Sequence, residues 1–148
     1  MLSFDDAGRP LAWPGLRRIK LWRETLNALG TTVTGLDRVF EGIDKFQLPL
    51  SPSAAAAPVP LKALYVLEAG PEDAAAGTVR LSGSAAVLAI VPELFRREAL
   101  AAMALEPRAL AQVAAVARHA RIFRATRAWG FDMFEADAAR LERHMLDA

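Results

Sequence analysis

The order of extended and helical patterns along this chain constrains its fold more than any single motif does. Extended patterns dominate as far as Leu81, and helical patterns dominate from Ser82 onward. One further extended pattern, residues 121–127, returns between two of the helices. This order predicts an α+β fold, with a short mixed or antiparallel sheet from the N-terminal half and several helices from the C-terminal half. The length of 148 residues predicts a single domain.

The N-terminal residues predict a β-hairpin. Short apolar segments at residues 2–6 and 11–13 flank a turn that contains Asp5, Asp6 and Gly8, and such turn residues between two extended pieces are typical of hairpins. We interpret the two carboxylates as turn formers. The alternative, a paired-carboxylate site for a metal ion or a general base, lacks partner residues nearby in the sequence.

Alternation and turn residues organise the next part of the chain. Basic residues alternate with Ile and Leu over residues 18–22, which predicts a strand. Residues 24–29 predict a short helix, for which Gly30 is a suitable C′ residue. A looser alternation over residues 40–50 predicts a strand end or a sheet edge.

A low-complexity stretch and two strand patterns follow. Residues 51–60, SPSAAAAPVP, predict a surface loop because Pro and Ser resist regular structure. Residues 62–68, KALYVLE, carry the clearest strand pattern of the chain, and residues 78–81 predict the next strand.

Capping residues and prolines divide the helical half. Ser82 or Ser84 predicts the start of a helix, and Pro92 predicts a kink or a new segment because proline lacks an N–H. Pro107 fits the first position of the next helix. Residues 136–146 predict a final amphipathic helix.

The remaining polar side chains of this half predict structural roles. His119 falls near a helix C-terminus, where a positive charge is favoured, and His144 is expected on a solvated helix face. If residues 121–127 form a strand, Arg121 and Arg124 lie on opposite faces, which argues against one anion site that uses both.

Composition excludes several classes of function. The chain has no Cys, so disulfides, thiolate zinc sites and Cys nucleophiles are absent, and we expect a cytoplasmic location. The net charge of +1 gives no overall field towards nucleic acid or an anionic membrane. No apolar run approaches the roughly 20 residues that span a bilayer. A P-loop sequence is also absent, because none of the Lys residues follows a Gly.

Phosphate or substrate binding is the chemistry that the residues favour most. Arg18 and Lys20 share one face of the predicted strand and could together hold a phosphate group. Asp44 and Lys45 lie at a second predicted strand start, where a structural ion pair is the alternative interpretation. These four residues are the candidate site. No catalytic residue can be named from the sequence, and no metal site is predicted.

Three stretches of the sequence resemble the C-terminal half of the HPr serine kinase-like family, which is related to the ATP-type phosphoenolpyruvate carboxykinases. They are WPGLRRIKLWRETLNALG (13–30), GIDKFQLPL (42–50) and RIFRATRAWGFDMFEADAARLERHM (121–145). The resemblance lies in their order and spacing. With the helix pattern LSGSAAVLAIVPELFR (81–96) between the last two stretches, it extends in order over most of the chain.

The resemblance implies ATP- and Mg²⁺-dependent phosphotransfer to a Ser hydroxyl of a protein or peptide. HPr-type carrier proteins and precursor peptides are the implied partners, and homo-oligomers are left open. Family members carry a P-loop and a metal-binding Asp pair upstream of the Pro-Gly segment, so we expect this chain to act as one half of a split enzyme with a P-loop-containing partner chain. The alternative is a non-catalytic binding or assembly module that completes or regulates a partner kinase.

Overall fold

The computed structural model describes residues 1–51, 57–71, 75–128 and 130–148. Over these residues the chain has the expected α+β fold. Its strands form three small sheets, and helices accompany them. The strands are β1 (Leu2–Phe4), β2 (Pro10–Ala12), β3 (Arg18–Trp22), β4 (Lys45–Pro49), β5 (Val59–Pro60), β6 (Ala63–Gly70), β7 (Gly77–Leu81) and β8 (Arg121–Ala128). The helices are α1 (Arg23–Ala28), α2 (Gly83–Ile90), α3 (Arg97–Ala102), α4 (Glu106–His119) and α5 (Phe134–Asp147).

The chain divides into two compact units. The first unit contains Met1 and Trp13–Val59, and the second contains Leu2–Ala12 and Pro60–Ala148. The expectation of a single domain stays a prediction.

The first unit is built on an antiparallel pair, β3 with β4, which confirms the strand predicted from alternation. The predicted short helix is α1, and Gly30 ends it with a φ of 66°. The N–H of Thr31 donates to the carbonyl of Leu26 at 2.8 Å, and the N–H of Gly30 donates to the carbonyl of Asn27 at 3.0 Å. This pair of bonds is the Schellman arrangement, which favours Gly because other residues are strained at positive φ.

The N-terminal hairpin is also confirmed. β1 pairs antiparallel with β2, and the order within this sheet is β1-β2-β5. Asp5 shapes the turn, because its Oδ1 accepts hydrogen bonds from the backbone N–H groups of Ala7 at 3.0 Å and Arg9 at 2.9 Å. The prediction of a loop over residues 51–60 is wrong at its end, where Val59–Pro60 forms β5. Residues 52–56 of that loop lie outside the described residues.

The central sheet of the second unit has the order β6-β8-β7. β8 pairs parallel with β6 and antiparallel with β7, so the late strand enters the middle of the sheet. Ile122 of β8 is almost fully buried because it packs against α2 and α4. The buried residues of this core are Ala86, Ile90, Val113, Val116 and Ile122.

Proline positions explain where the helices of this unit begin and end. α2 ends at Ile90, and Pro92 lies in a short 3₁₀ turn, so the predicted interruption is confirmed. Pro107 lies in the first turn of α4, as expected. Ser82 occupies the N-cap position of α2, but its side chain makes no capping hydrogen bond. No helix among the described residues is long and apolar enough to cross a membrane.

Candidate functional site

The register of β3 and β4 brings three of the four candidate residues to one face of the pair. Arg18 lies opposite Pro49, Lys20 opposite Gln47, and Trp22 opposite Lys45. Directly opposed residues of an antiparallel pair point to the same face, and that face repeats every second residue. Arg18, Lys20 and Lys45 therefore form one surface, called here the β3–β4 basic face.

Two cations of this face are free to meet a ligand. Arg18 and Lys20 are exposed, and neither forms a salt bridge with any part of the chain that the structure describes. Residues two apart on a strand are separated by about 6.7 Å. At that spacing the two side chains can converge on one phosphate group or contact neighbouring phosphate groups.

Trp22 holds the third cation in place. The Nζ of Lys45 lies 5.2 Å from the centre of the Trp22 ring, a cation–π contact. Trp22 is itself about half exposed, with 53% of its surface accessible. The long side chain of Lys45 is thus restrained beside the other cations.

Asp44, the fourth candidate, faces arginines rather than a ligand. Its Oδ2 lies 2.7 Å from Arg23 Nε and its Oδ1 lies 2.9 Å from Arg23 Nη2, a bidentate pair. Arg38 adds a contact of 3.4 Å to Oδ1. The hydrogen bonds from Arg23 lower the pKa of Asp44, and the charge of Arg38 adds to this. This geometry favours a structural ion pair. The role of Asp44 in ligand binding stays a prediction.

The same arginines cover the buried aromatic residue of the first unit. The guanidinium carbons of Arg23 and Arg38 lie 4.9 Å and 5.2 Å from the centre of the Phe46 ring. Phe46 is only 4% exposed. Asp44 therefore bridges two cations that stack on Phe46, and this cluster supports β4 beneath the basic face.

Asp5 is confirmed as a turn former. Besides its two backbone bonds, its Oδ2 lies 2.7 Å from Arg9 Nε. The hydrogen bonds from Arg9 lower the pKa of Asp5. Both oxygens are occupied by this turn, which leaves the paired-carboxylate interpretation without support.

Sequence reasoning missed a cluster on the second unit. His144 was expected to be solvated, but that is wrong: its Nδ1 lies 2.8 Å from the hydroxyl of Tyr65. Its ring also meets the edge of Phe123, with centroids 4.8 Å apart. Burial raises the pKa of Tyr65, and the charge of Arg121 partly offsets this. The sequence signal for this cluster is weak: His144 lies one helical turn after Arg140. In the structure the side chain of Arg140 also reaches the sheet, where it donates to Thr78.

The cations of β8 separate as the alternation predicts. Arg124 lies on the face opposite Arg121 and forms a salt bridge with Glu68, with Nε and Oε1 3.0 Å apart. The expectation that Arg121 and Arg124 lie on opposite faces of the strand is therefore confirmed.

The described residues fit the phosphate groups implied by the resemblance better than the metal ion. The basic face offers cations to phosphate oxygens, but Asp44 is occupied by arginines. No group of three acidic or His side chains suited to a metal ion occurs among the residues that the structure describes. Magnesium chemistry is therefore assigned to none of them.

Comparison with known proteins returned no relatives: no family model matches this chain, and no significant match was found among curated proteins or solved structures.

Proposed function

We propose that the chain takes part in nucleotide-dependent phosphotransfer of the HPr serine kinase-like type, with the β3–β4 basic face binding phosphate oxygens. The phosphate donor in this proposal is ATP with Mg²⁺, and the acceptor is a Ser hydroxyl of a carrier protein or precursor peptide. A cytoplasmic location is part of the proposal. The observation that carries it is the register that brings Arg18, Lys20 and Lys45 to one face.

Each side chain of the face has a distinct part in the proposal. Arg18 offers a planar fork that matches two oxygens of one phosphate, whereas Lys20 offers a compact point charge. Lys45, restrained on Trp22, contributes a third charge with less loss of side-chain freedom on binding. Magnesium would enter together with ATP and would offset negative charge on the phosphates, and none of the described residues of this chain is assigned to hold it. The residues of this chain bind and orient the phosphates.

Trp22 provides a local measure of binding. Because Lys45 lies over its ring, a phosphate drawn to Lys45 changes the environment of Trp22. We expect ATP or inorganic triphosphate to change the Trp fluorescence of the wild type. The Trp22→Phe variant identifies the part of the signal that comes from this residue.

Charge reversal tests the basic face directly. The double variant R18E/K20E should bind triphosphate at least about tenfold more weakly at this face, since hydrogen bonds to charged groups contribute about 1.5–3 kcal/mol each. The matched control is R97E/R143E, which makes the same change in charge at exposed residues of the second unit. Equal Trp22 titrations for both double variants would remove the support for this proposal.

Catalysis needs a separate test, because the 148 residues contain no P-loop sequence. We expect no phosphate transfer from ATP by the purified chain alone. A P-loop-containing chain encoded beside it should restore transfer to a Ser-containing substrate, and R18E/K20E should reduce that restored rate. Transfer by the purified chain alone would contradict the split-enzyme form of the proposal.

Exposed apolar side chains favour a second candidate, the non-catalytic binding or assembly module. On the first unit, Leu16 is 74% exposed and Phe40 is 65% exposed. Exposed apolar side chains mark a surface that a partner covers where they form one contiguous patch, and the module requires such a patch around these residues. Stable association with the P-loop-containing chain without any gain in phosphate transfer would support the module over the split enzyme.

A further inference from the structure

A pocket of about 450 Å³ in the second unit brings several cations of that unit together. Its charged lining comes from four separate stretches of the chain, and we call these residues the basic pocket: Arg9, Lys62, Arg80, Arg118, His119 and Arg121. No Asp or Glu lines it. The pocket belongs wholly to the second unit and shares no residue with the β3–β4 basic face.

Backbone hydrogen bonds bring these segments together. The N–H of Arg121 donates to the carbonyl of Lys62 at 2.9 Å, which joins the start of β8 to the start of β6. The N–H of Leu61 donates to the carbonyl of Pro10 at 2.9 Å, which brings the N-terminal hairpin to the same place. The pocket is therefore fixed by the pairing of the fold and does not depend on flexible side chains alone.

Most of the positive charge is not neutralised within the protein. Arg9 is paired with Asp5. The other four cations, which form no salt bridge with any residue in the described part of the chain, are Lys62, Arg80, Arg118 and Arg121. Like charges held close together repel one another. A bound anion would relieve this repulsion.

Helix geometry accounts for only part of this cluster. Arg118 and His119 occupy the last turn of α4, where the negative end of the helix dipole favours cations. Lys62, Arg80 and Arg121 lie outside any helix, on or beside strands. Their convergence on the same pocket has no such structural explanation.

The lining also indicates the size and kind of ligand. A volume of about 450 Å³ lies within the usual range of roughly 300–1,000 Å³ for small-molecule pockets. The floor is apolar, with Pro10, Pro60, Leu61 and Ala120. Apart from His119, the lining offers no aromatic ring on which bases of a nucleic-acid strand could stack. These features favour a compact anion over a polymer.

We propose that the basic pocket binds a small ligand that carries an oligophosphate group, meaning two or more linked phosphates. Four unpaired cations match the three or four negative charges of such a group, whereas a single phosphate would leave charges unbalanced. The protein supplies the cations, so binding needs no divalent metal. The oligophosphate can be inorganic or part of a nucleotide whose remaining part rests on the apolar floor.

The test compares ligands on the whole chain by calorimetry and thermal unfolding, with EDTA present. Inorganic triphosphate should bind and raise Tm, because a ligand that binds only the folded state stabilises it. Orthophosphate at the same concentration should bind at least tenfold more weakly. A nucleoside triphosphate that binds more tightly than inorganic triphosphate identifies a nucleotide ligand, and equal affinities identify the oligophosphate alone.

Variants locate the binding to this pocket. K62A/R118A changes two exposed residues. Placed in the R18E/K20E background, which removes the contribution of the basic face, it should weaken the remaining triphosphate binding at least tenfold, with circular dichroism unchanged. The matched control R97A/R143A removes two exposed arginines outside the pocket and should bind like the wild type. R18E/K20E should retain this binding, which separates the pocket from the basic face. If only R18E/K20E abolishes binding, or if orthophosphate or RNA binds as tightly as triphosphate, the proposal is overturned.

Discussion

Replacing Tyr65 by Phe tests how α5 is held on the central sheet. The Tyr65 hydroxyl lies 2.8 Å from Nδ1 of His144 on α5. The Tyr65 ring also stacks on Phe123, with centroids 4.9 Å apart. Phe at position 65 keeps the ring and removes only the hydroxyl, so the variant measures the hydrogen bond without opening a cavity.

The structure sets the size of the expected effect. A hydrogen bond between neutral groups contributes about 1 kcal/mol net, and the loss of one partner costs more where the other stays buried. Both groups are partly buried, so we expect Y65F to lower the free energy of unfolding by about 1 kcal/mol. His144→Ala also loses edge contacts with two rings, each contributing about 0.5–1.5 kcal/mol. We therefore expect about 2–4 kcal/mol for H144A.

A double-mutant cycle measured by urea unfolding separates the bond from the packing. The single variants Y65F and H144A, together with the double variant, should give a coupling energy of about 1 kcal/mol. Arg143→Ala, an exposed neighbour on α5, is the matched control and should change stability by less than about 0.5 kcal/mol. A coupling energy below about 0.5 kcal/mol would refute the reasoning, because independent sites add within that margin.

Three further predictions follow from burial and titration. Ile122→Ala, at a position 1% exposed, should cost about 2–5 kcal/mol in urea unfolding, whereas Val79→Ala at 61% exposure should cost much less. Arg23 lowers the pKa of Asp44 below 3.8, so the stabilisation that the ionised Asp44 carboxylate gives is present above that pH and is lost as the pH falls below it. The free energy of unfolding of D44N should therefore depend less on pH in acid, as measured by acid unfolding. Because burial raises the pKa of Tyr65 above 10.0, stability should fall as pH rises past 10.0, but not in Y65F.

Local backbone chemistry made part of the fold predictable. Alternation over residues 18–22 gave β3, because a strand repeats every two residues. Gly30 marked the end of α1 because its positive φ is readily adopted only by glycine. Pro107 marked the first turn of α4, where its missing N–H has no helical partner to lose. In each case the signal lies within a few residues of the structure that it specifies.

Long-range pairing was beyond the reach of these patterns. Residues 121–127 were identified as a strand, but no local feature places that strand between β6 and β7 or makes it parallel to β6. His144 was assigned to solvent from its charged neighbours Glu142 and Arg143, because the position of Tyr65 across the sheet was unknown. For the same reason, the sequence does not indicate that Asp44 pairs with Arg23 and not with Lys45, because Arg23 lies 21 residues away from Asp44 in the chain.

The basic pocket illustrates this limit most clearly. Its cations are spread from Arg9 to Arg121, and each alone is a surface charge of the kind that usually contributes little. Parallel pairing brings Lys62 to the start of β8, and antiparallel pairing brings Arg80 opposite Phe123 near the same end of the sheet. A net charge of +1 over the whole chain conceals this concentration, because the acidic residues lie elsewhere. The unit therefore holds a local field that composition cannot reveal, and loss of triphosphate binding in K62A/R118A is the measurement that depends on it.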